Sequence, residues 1–282
     1  MPGKGKVISN TIPDSHNVLT FRAMKQKQRK IVMLTAYDYA MARSIREADV
    51  DIILVGDSLG MVVLGYDNTL QVTMDDMVLH TQAVRRGAPH AFIIADMPYL
   101  SYHLNPDATK YNAARLITGG KANAVKLEGG SPSRLEAIRA IVDCEIPVCA
   151  HLGLTPQSIH KLGGYKVQGK TEKEHGLLLE EAFQIEAAGA FMLVLEGIPE
   201  ALGKAITEQV SIPTIGIGAG RYCDGQVLVY HDMLGLSDLT PKFVRQYAQT
   251  GKDIQTAVRQ YASDVRNGNF PAQEQVYFPL DK

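Results

Sequence analysis

Short apolar runs alternate with amphipathic stretches along almost the whole chain. Ile31–Thr35, Asp51–Val55, Ala91–Ala95, Ala122–Leu127, Pro147–Ala150, Ala190–Leu195, Pro213–Ile217 and Val227–Tyr230 read as eight strands. The stretches between them carry helix signals. Asn17 to Lys30 sets Val18, Leu19, Phe21 and Met24 among basic residues, which fits a short amphipathic helix ahead of the first strand. Met41, Ile45 and Ala48 share one face of the next helix. Thr73-Met74-Asp75-Asp76 is a capping-box-like start for a helix that runs to Gly87. Asn105-Pro106 and Ser131-Pro132 each pair an N-cap with proline at the first helical position. Glu174 to Ala188 turns Leu178, Ala182 and Ile185 inward, Pro199 opens another helix, and Thr240-Pro241 starts a long terminal one.

Eight strands alternating with helices is the count of a (β/α)₈ TIM barrel. The link from Gly218 to Gln226 has no room for a full helix, so a doubly wound sheet is the second architecture the pattern allows. The 282 residues, 45% hydrophobic and 21% charged, suit one such barrel. We expect a single barrel domain over 1–282, with an N-terminal arm and helix (about 1–30) and a C-terminal tail (about 268–282). The formal net charge of -1 gives no global pull toward nucleic acid or a membrane surface. Three cysteines make neither zinc spacing nor a disulfide framework, and Cys149 sits in an apolar run as a core residue. With no secretory h-region and no run able to span a bilayer, the expectation is a cytoplasmic protein.

Candidate chemistry collects where the strands end. The second strand runs into Val55-Gly56-Asp57-Ser58-Leu59-Gly60, where two glycines allow a tight turn and a close backbone approach. Strand one is followed by Tyr37-Asp38, strand three by Asp96, strand four by Lys126 and Glu128, strand five by His151. Strand six ends in Glu196, strand seven in Gly218-Ala219-Gly220, strand eight in His231-Asp232. Barrel enzymes keep their active sites at these carboxyl ends.

Asp57, Asp96 and Glu128 lie on successive strands, so a barrel gathers them round one point. Three carboxylates without a histidine pair suit a hard cation, Mg²⁺ first, with Mn²⁺ or Co²⁺ as substitutes. Taken singly, each is also a plausible helix cap or arginine partner. Lys126 and Glu128 are two apart and share a face. The lysine could hold a substrate carboxylate, stabilise an enolate oxygen, or only pair with Glu128. Glu196 ends the apolar Phe191–Leu195, whose surround would raise its pKa and suit it to proton transfer. His151 could hydrogen-bond substrate. Gly216 to Gly220 is either a weak phosphate loop or a closely packed turn. The long loop Leu152 to Lys173 has the length of a lid or binding segment.

These runs together resemble the ketopantoate hydroxymethyltransferase family. The stretches that carry the resemblance are Met33–Tyr39, Val55–Gly65 continuing to Thr73, Arg85–Pro89, Ala124–Gly130, His151–Gln157, Leu193–Pro199 and Ile212–Leu236. The similarity spans about Thr11 to Pro271. Two stretches depart from the family pattern: Cys149-Ala150 precedes His151 where Met-Gly is more usual, and Gln273 to Lys282 ends differently. The resemblance implies a (β/α)₈ barrel of the phosphoenolpyruvate/pyruvate type. It implies transfer of a hydroxymethyl group from 5,10-methylenetetrahydrofolate to 3-methyl-2-oxobutanoate, giving 2-dehydropantoate and tetrahydrofolate on the way to pantothenate and coenzyme A. It places metal at Asp57, Asp96 and Glu128, substrate at Asp57, Ser58, Asp96, Lys126 and His151, and the proton acceptor at Glu196. It implies one Mg²⁺ per subunit and a cytoplasmic homo-oligomer, up to a decamer, with small-molecule partners only.

The physical account runs parallel to this. A divalent ion on a 2-oxo acid would acidify the neighbouring C–H and stabilise the enolate, which attacks the folate methylene. Two rival readings keep the barrel: a Mg²⁺-dependent carbon–carbon lyase of 2-oxo acids, and a non-catalytic binding or assembly protein.

Overall fold

The computed structural model describes residues 16–237 and 241–279. Eight parallel strands close into a barrel in sequence order: β1 Ile31–Thr35, β2 Ile52–Val55, β3 Phe92–Asp96, β4 Ala124–Glu128, β5 Val148–Gly153, β6 Met192–Glu196, β7 Thr214–Ile217 and β8 Gly225–Leu228. Closure excludes the doubly wound alternative. The link that raised it is short because it only has to return along one strand. Seven extended residues reach roughly 23 Å, and a four-residue strand is only about 13 Å long. β8 then pairs with β1, Ile31 beside Gly225 and Leu34 beside Leu228.

The helices on the barrel are α1 Val18–Gln26, α2 Tyr39–Arg46, α3 Leu59–Val62, α4 Met74–Gly87, α5 Pro106–Thr118, α6 Pro132–Val142, α7 Ile159–Leu162, α8 Glu172–Ala187 and α9 Glu200–Gln209. Several start where side chains satisfy the free backbone N–H groups of a helix N-terminus. Thr73 and Asp76 form a reciprocal capping box on α4, and Thr171 and Glu174 form one on α8. Asn105 caps α5 with Pro106 next to it. The α2 face is narrower than the sequence pattern: Ala42 and Ile45 are buried, but Ala48 lies past the helix end and is exposed.

Inside the barrel, Ile31, Met33, Ile52, Leu54, Phe92, Ile94, Cys149, Met192, Val194, Ile215 and Val227 form one apolar cluster. Helix α1 joins it through Phe21 and Met24, with Phe21 edge-on to Phe92 at 4.9 Å. The strand-start end is therefore plugged by apolar packing, and polar groups are left to the opposite end. Cys149 is part of that cluster, and burial pushes its thiol up to about 12.

Two expectations about the end of the chain are corrected. β8 is Gly225–Leu228, two residues earlier than the apolar run suggests. The terminal helix, α11, is Thr250–Arg266 rather than starting at Thr240-Pro241; Thr240 itself lies outside the described residues. The chain divides into two compact units, one ending at Val229 and one starting at Tyr230. The second contains α10 Tyr230–Met233 and α11, whose Ile254, Val258, Tyr261 and Val265 are exposed. Residues 1–15 of the expected N-terminal arm and residues 280–282 of the expected tail lie outside the described residues. No helix among the described residues is long and apolar enough to cross a membrane.

Candidate active site

Strand register assembles the site. In a parallel ladder, residues in register sit side by side, and alternate residues share a face. Asp96 on β3 is the register partner of Lys126 on β4. Glu128 on β4 partners His151 on β5, and Gly153 partners Glu196 on β6. The pairing therefore brings acid, base and ammonium groups into one buried row at the carboxyl ends.

The row is almost dry. Asp57, Asp96, Lys126, Glu128 and His151 are each between 3% and 5% exposed. Lys126 Nζ lies 3.1 Å from Asp96 Oδ1. Asp96 Oδ2 accepts the Asp57 backbone N–H at 3.0 Å. His151 sits between two acids, Nδ1 3.5 Å from Glu128 Oε1 and Nε2 3.3 Å from Glu196 Oε2. These last contacts and the Lys126–Asp96 contact have ion-pair distances without hydrogen-bond angles, so Asp96 Oδ1 and both His151 nitrogens are buried with no hydrogen-bond partner. Glu196, with 17% side-chain exposure, has the most solvent access of the four acids.

Ser58 is tied to a different neighbour. It precedes α3 but makes no side-chain cap. Its Oγ is instead 2.8 Å from Tyr37 Oη. Gly56 is required for this arrangement, since a Cβ there would stand 2.8 Å from Ser58 Oγ.

Charge in this row is out of balance. Burial, then Asp96 and Glu128, push the Asp57 carboxyl well above the usual range, against the pull of Lys126 and Gln157. Burial also raises Asp96, and Lys126 opposes it. Burial draws Lys126 down, but the acids Asp96, Glu128 and Asp57 outweigh that and hold its ammonium above the ordinary lysine value. For His151, burial and Lys126 pull downward, yet Glu128 and Glu196 raise it to about 9. Four carboxylates, Glu196 included, face one ammonium and one imidazolium, and the remaining deficit of positive charge is one that a bound cation would meet.

The donor set fits a hard, oxygen-seeking cation in character: all acids, no thiolate, and a buried Asp96 Oδ1 met only by the Lys126 ammonium at 3.1 Å. It does not form a closed cage. Among the described residues, no three His, Cys, Asp or Glu side chains are gathered closely enough to hold a metal by themselves. Mg²⁺ commonly takes only one or two carboxylates and completes its shell with water and substrate oxygens. The residues fit an ion held in that open way.

The sequence reading missed two residues of the centre. Gln157, just past β5, and Tyr102, before α5, are both buried among the acids. Other strand-end candidates are placed as follows. Asp38 caps α2 through the Met41 N–H at 2.8 Å. His231 and Asp232 belong to α10 of the second unit. The Gly216–Gly220 turn is packed against α9: a Cβ on Gly220 would stand 2.5 Å from Glu200 Cγ, and one on Gly203 2.3 Å from the Ala219 carbonyl oxygen. Close packing accounts for those glycines. Of the long Leu152–Lys173 loop, part is regular: a 3₁₀ turn at Pro156–Ser158, then α7, with α8 starting at Glu172. Farther along it, the Tyr165 hydroxyl donates to Met61 Sδ at 3.5 Å.

Comparison with known proteins follows the same line. The family model described as ketopantoate hydroxymethyltransferase matches residues 15–273. A 3-methyl-2-oxobutanoate hydroxymethyltransferase of Clostridium beijerinckii is 54% identical over 95% of this chain and 97% of its own. One of Geobacter metallireducens is 55% identical over 90% and 95%. Among solved structures, 2,3-dimethylmalate lyase, a PEP mutase/isocitrate lyase superfamily member, aligns with a TM-score of 0.59 at 16% identity, covering 92% of this chain and 91% of its own. Phosphonopyruvate hydrolase, solved with oxalate and Mg²⁺, aligns with a TM-score of 0.61 at 12% identity, covering 93% and 91%. At such identities the structural matches establish the barrel fold and nothing finer.

Proposed function

The chain belongs to the ketopantoate hydroxymethyltransferase family and is an enzyme of one-carbon transfer; from that premise we propose that its buried acid row binds 3-methyl-2-oxobutanoate with a divalent cation, and that 5,10-methylenetetrahydrofolate supplies the one-carbon unit. The observation that carries this reading is the excess of carboxylates at the strand ends over the Lys126 ammonium and the His151 imidazolium. Such an arrangement is costly unless a cation joins it.

Asp57 and Asp96, with Glu128 beside them, would hold Mg²⁺. Bound there, the ion would polarise the keto group of a 2-oxo acid and make the C–H beside it more acidic. Lys126, kept protonated by its acid neighbours, would face the substrate carboxylate or the oxygen that gains charge. Ser58, anchored by Tyr37, offers a hydroxyl at the same end. His151 stands between Glu196 and Glu128 at ion-pair distance from each. Glu196 is the accessible acid and takes the role of proton acceptor from substrate.

The role of Glu196 is tested by Glu196→Gln. The expected result is retained binding of 3-methyl-2-oxobutanoate and Mn²⁺ by calorimetry, with kcat lower by about 10²–10⁴-fold. Wild-type turnover in the variant would remove Glu196 from the mechanism. The family resemblance also implies a cytoplasmic homo-oligomer of up to ten subunits, which light scattering of the purified protein would size.

A further inference from the structure

Gln157 meets the ends of four consecutive strands. The path of the chain explains how it gets there. Gly153 closes β5 with φ +95°, and the next N–H, from Leu154, donates to the Glu196 carbonyl at 2.8 Å. The loop is thus clipped to the end of β6. Pro156 then fixes the first residue of the 3₁₀ turn, and Gln157 turns inward until it is 5% exposed.

All of its hydrogen-bonding groups in the side chain are spoken for. Nε2 donates to Asp57 Oδ2 at 2.8 Å and to the Met97 carbonyl at 3.0 Å. Oε1 accepts from the Tyr102 hydroxyl at 2.6 Å. Its backbone N–H donates to Glu128 Oε2 at 3.0 Å. Tyr102 Oη in turn accepts the Glu128 N–H at 3.2 Å. The amide orientation follows from chemistry, because a carboxylate and a carbonyl can only accept, so the nitrogen must face them.

An amide is the side chain suited to this position. A lysine would neutralise the acids, and a carboxylate would add to their repulsion. Glutamine donates to Asp57 without changing the charge available to a cation, and through Tyr102 its amide oxygen is linked to the Glu128 backbone, while the backbone N–H of residue 157 holds the Glu128 carboxylate whatever the side chain.

We propose that Gln157 is a positioning residue of the acid centre, holding Asp57 and Glu128 in the relative placement that cation and 2-oxo acid require. The proposal rests on the cation-dependent reading above. Partners that orient metal-binding groups commonly change metal affinity by about 10–100-fold when removed.

The test uses full-length protein with Mn²⁺ as the probe, free Mn²⁺ being counted by electron paramagnetic resonance. Gln157→Leu keeps the volume and removes the amide. Its expected Mn²⁺ affinity is about 10–100-fold weaker, with a lower kcat, an unchanged KM for methylenetetrahydrofolate and a wild-type circular dichroism spectrum. Tyr102→Phe, which keeps the ring and frees the amide oxygen, should move Mn²⁺ affinity the same way by a smaller factor, and it carries the test should Gln157→Leu fail to fold. Wild-type Mn²⁺ affinity and kcat in the folded variants would overturn the role of Gln157 while leaving the cation reading intact. A wild-type protein that binds no Mn²⁺ would overturn the cation reading and this assignment with it.

Discussion

Asp57, Asp96, Glu128 and Lys126 are a poor choice of residues for stability alone. Burying ions costs several kcal/mol each before any pairing is counted, and apolar replacements of similar shape are often more stable. Their presence at one end of an otherwise apolar barrel is a sign of chemistry. These positions are legible in the sequence because each lies within or just beyond an apolar run. The surroundings of Glu196 were not. Its own strand is apolar, which suggested an apolar pocket, yet the group facing it is His151 from the neighbouring strand. Periodicity describes a strand's own residues, whereas the cross-strand neighbour is set by register. Gln157 and Tyr102 were illegible for a related reason: their roles depend on how two loops fold back over the strand ends.

His103, packed 4.3 Å from the Tyr102 ring, gives a pH prediction at the same scale. Burial, followed by Arg134, lowers its pKa from 6.5 to about 4, with Glu128 opposing. The folded protein therefore binds this proton less readily than the unfolded chain. Stability from this group is complete above pH 6.5, falls as the pH drops through the window, and is lost below about 4. Urea unfolding of wild type and His103→Gln at pH 7.5 and 5 should show the larger loss in wild type. Parallel losses would rule out His103 as the cause.

At the level of elements, helix starts were the most legible feature, because caps and N-terminal prolines are local devices. The shift of β8 was not local. Gly225 falls in the link that the sequence leaves before strand eight, yet it opens β8, and it is glycine because a Cβ there would stand 2.3 Å from the Ile31 carbonyl oxygen. That contact exists only after β8 has closed against β1. Gln226, an exposed residue of β8, stands before the apolar run and so hides the true start of the strand. The same closeness occurs where β5 meets β6: a Cβ on Gly153 would stand 2.2 Å from the Glu196 carbonyl oxygen. Gly153→Ala should destabilise by more than about 1 kcal/mol and also lower kcat, because it displaces the backbone that carries Glu196. Thr73→Ala, which removes a cap on α4, should cost about 1 kcal/mol and leave kcat unchanged. Chemical denaturation and steady-state kinetics on the pair would separate the two effects. Equal kcat in both variants would contradict the coupling of Gly153 to the site.

For the barrel unit as a whole, stability and chemistry occupy opposite ends. Helix α1 and the inner apolar cluster close the strand-start end, and the strand carboxyl ends carry the acid row. Such division is general in (β/α)₈ enzymes, and it explains why eight apolar runs are enough to locate the polar end of the barrel. The charge imbalance of that end makes the central claim a dependence on a cation. The most direct measurement is formation of 2-dehydropantoate from 3-methyl-2-oxobutanoate and methylenetetrahydrofolate, with Mg²⁺ and with a chelator, in wild type and Asp57→Ala. Product is expected with Mg²⁺, loss of product in chelator with recovery when Mg²⁺ is returned, and loss of product in Asp57→Ala at every Mg²⁺ concentration. Full turnover in chelator, or an Asp57→Ala variant as active as wild type, would contradict that claim.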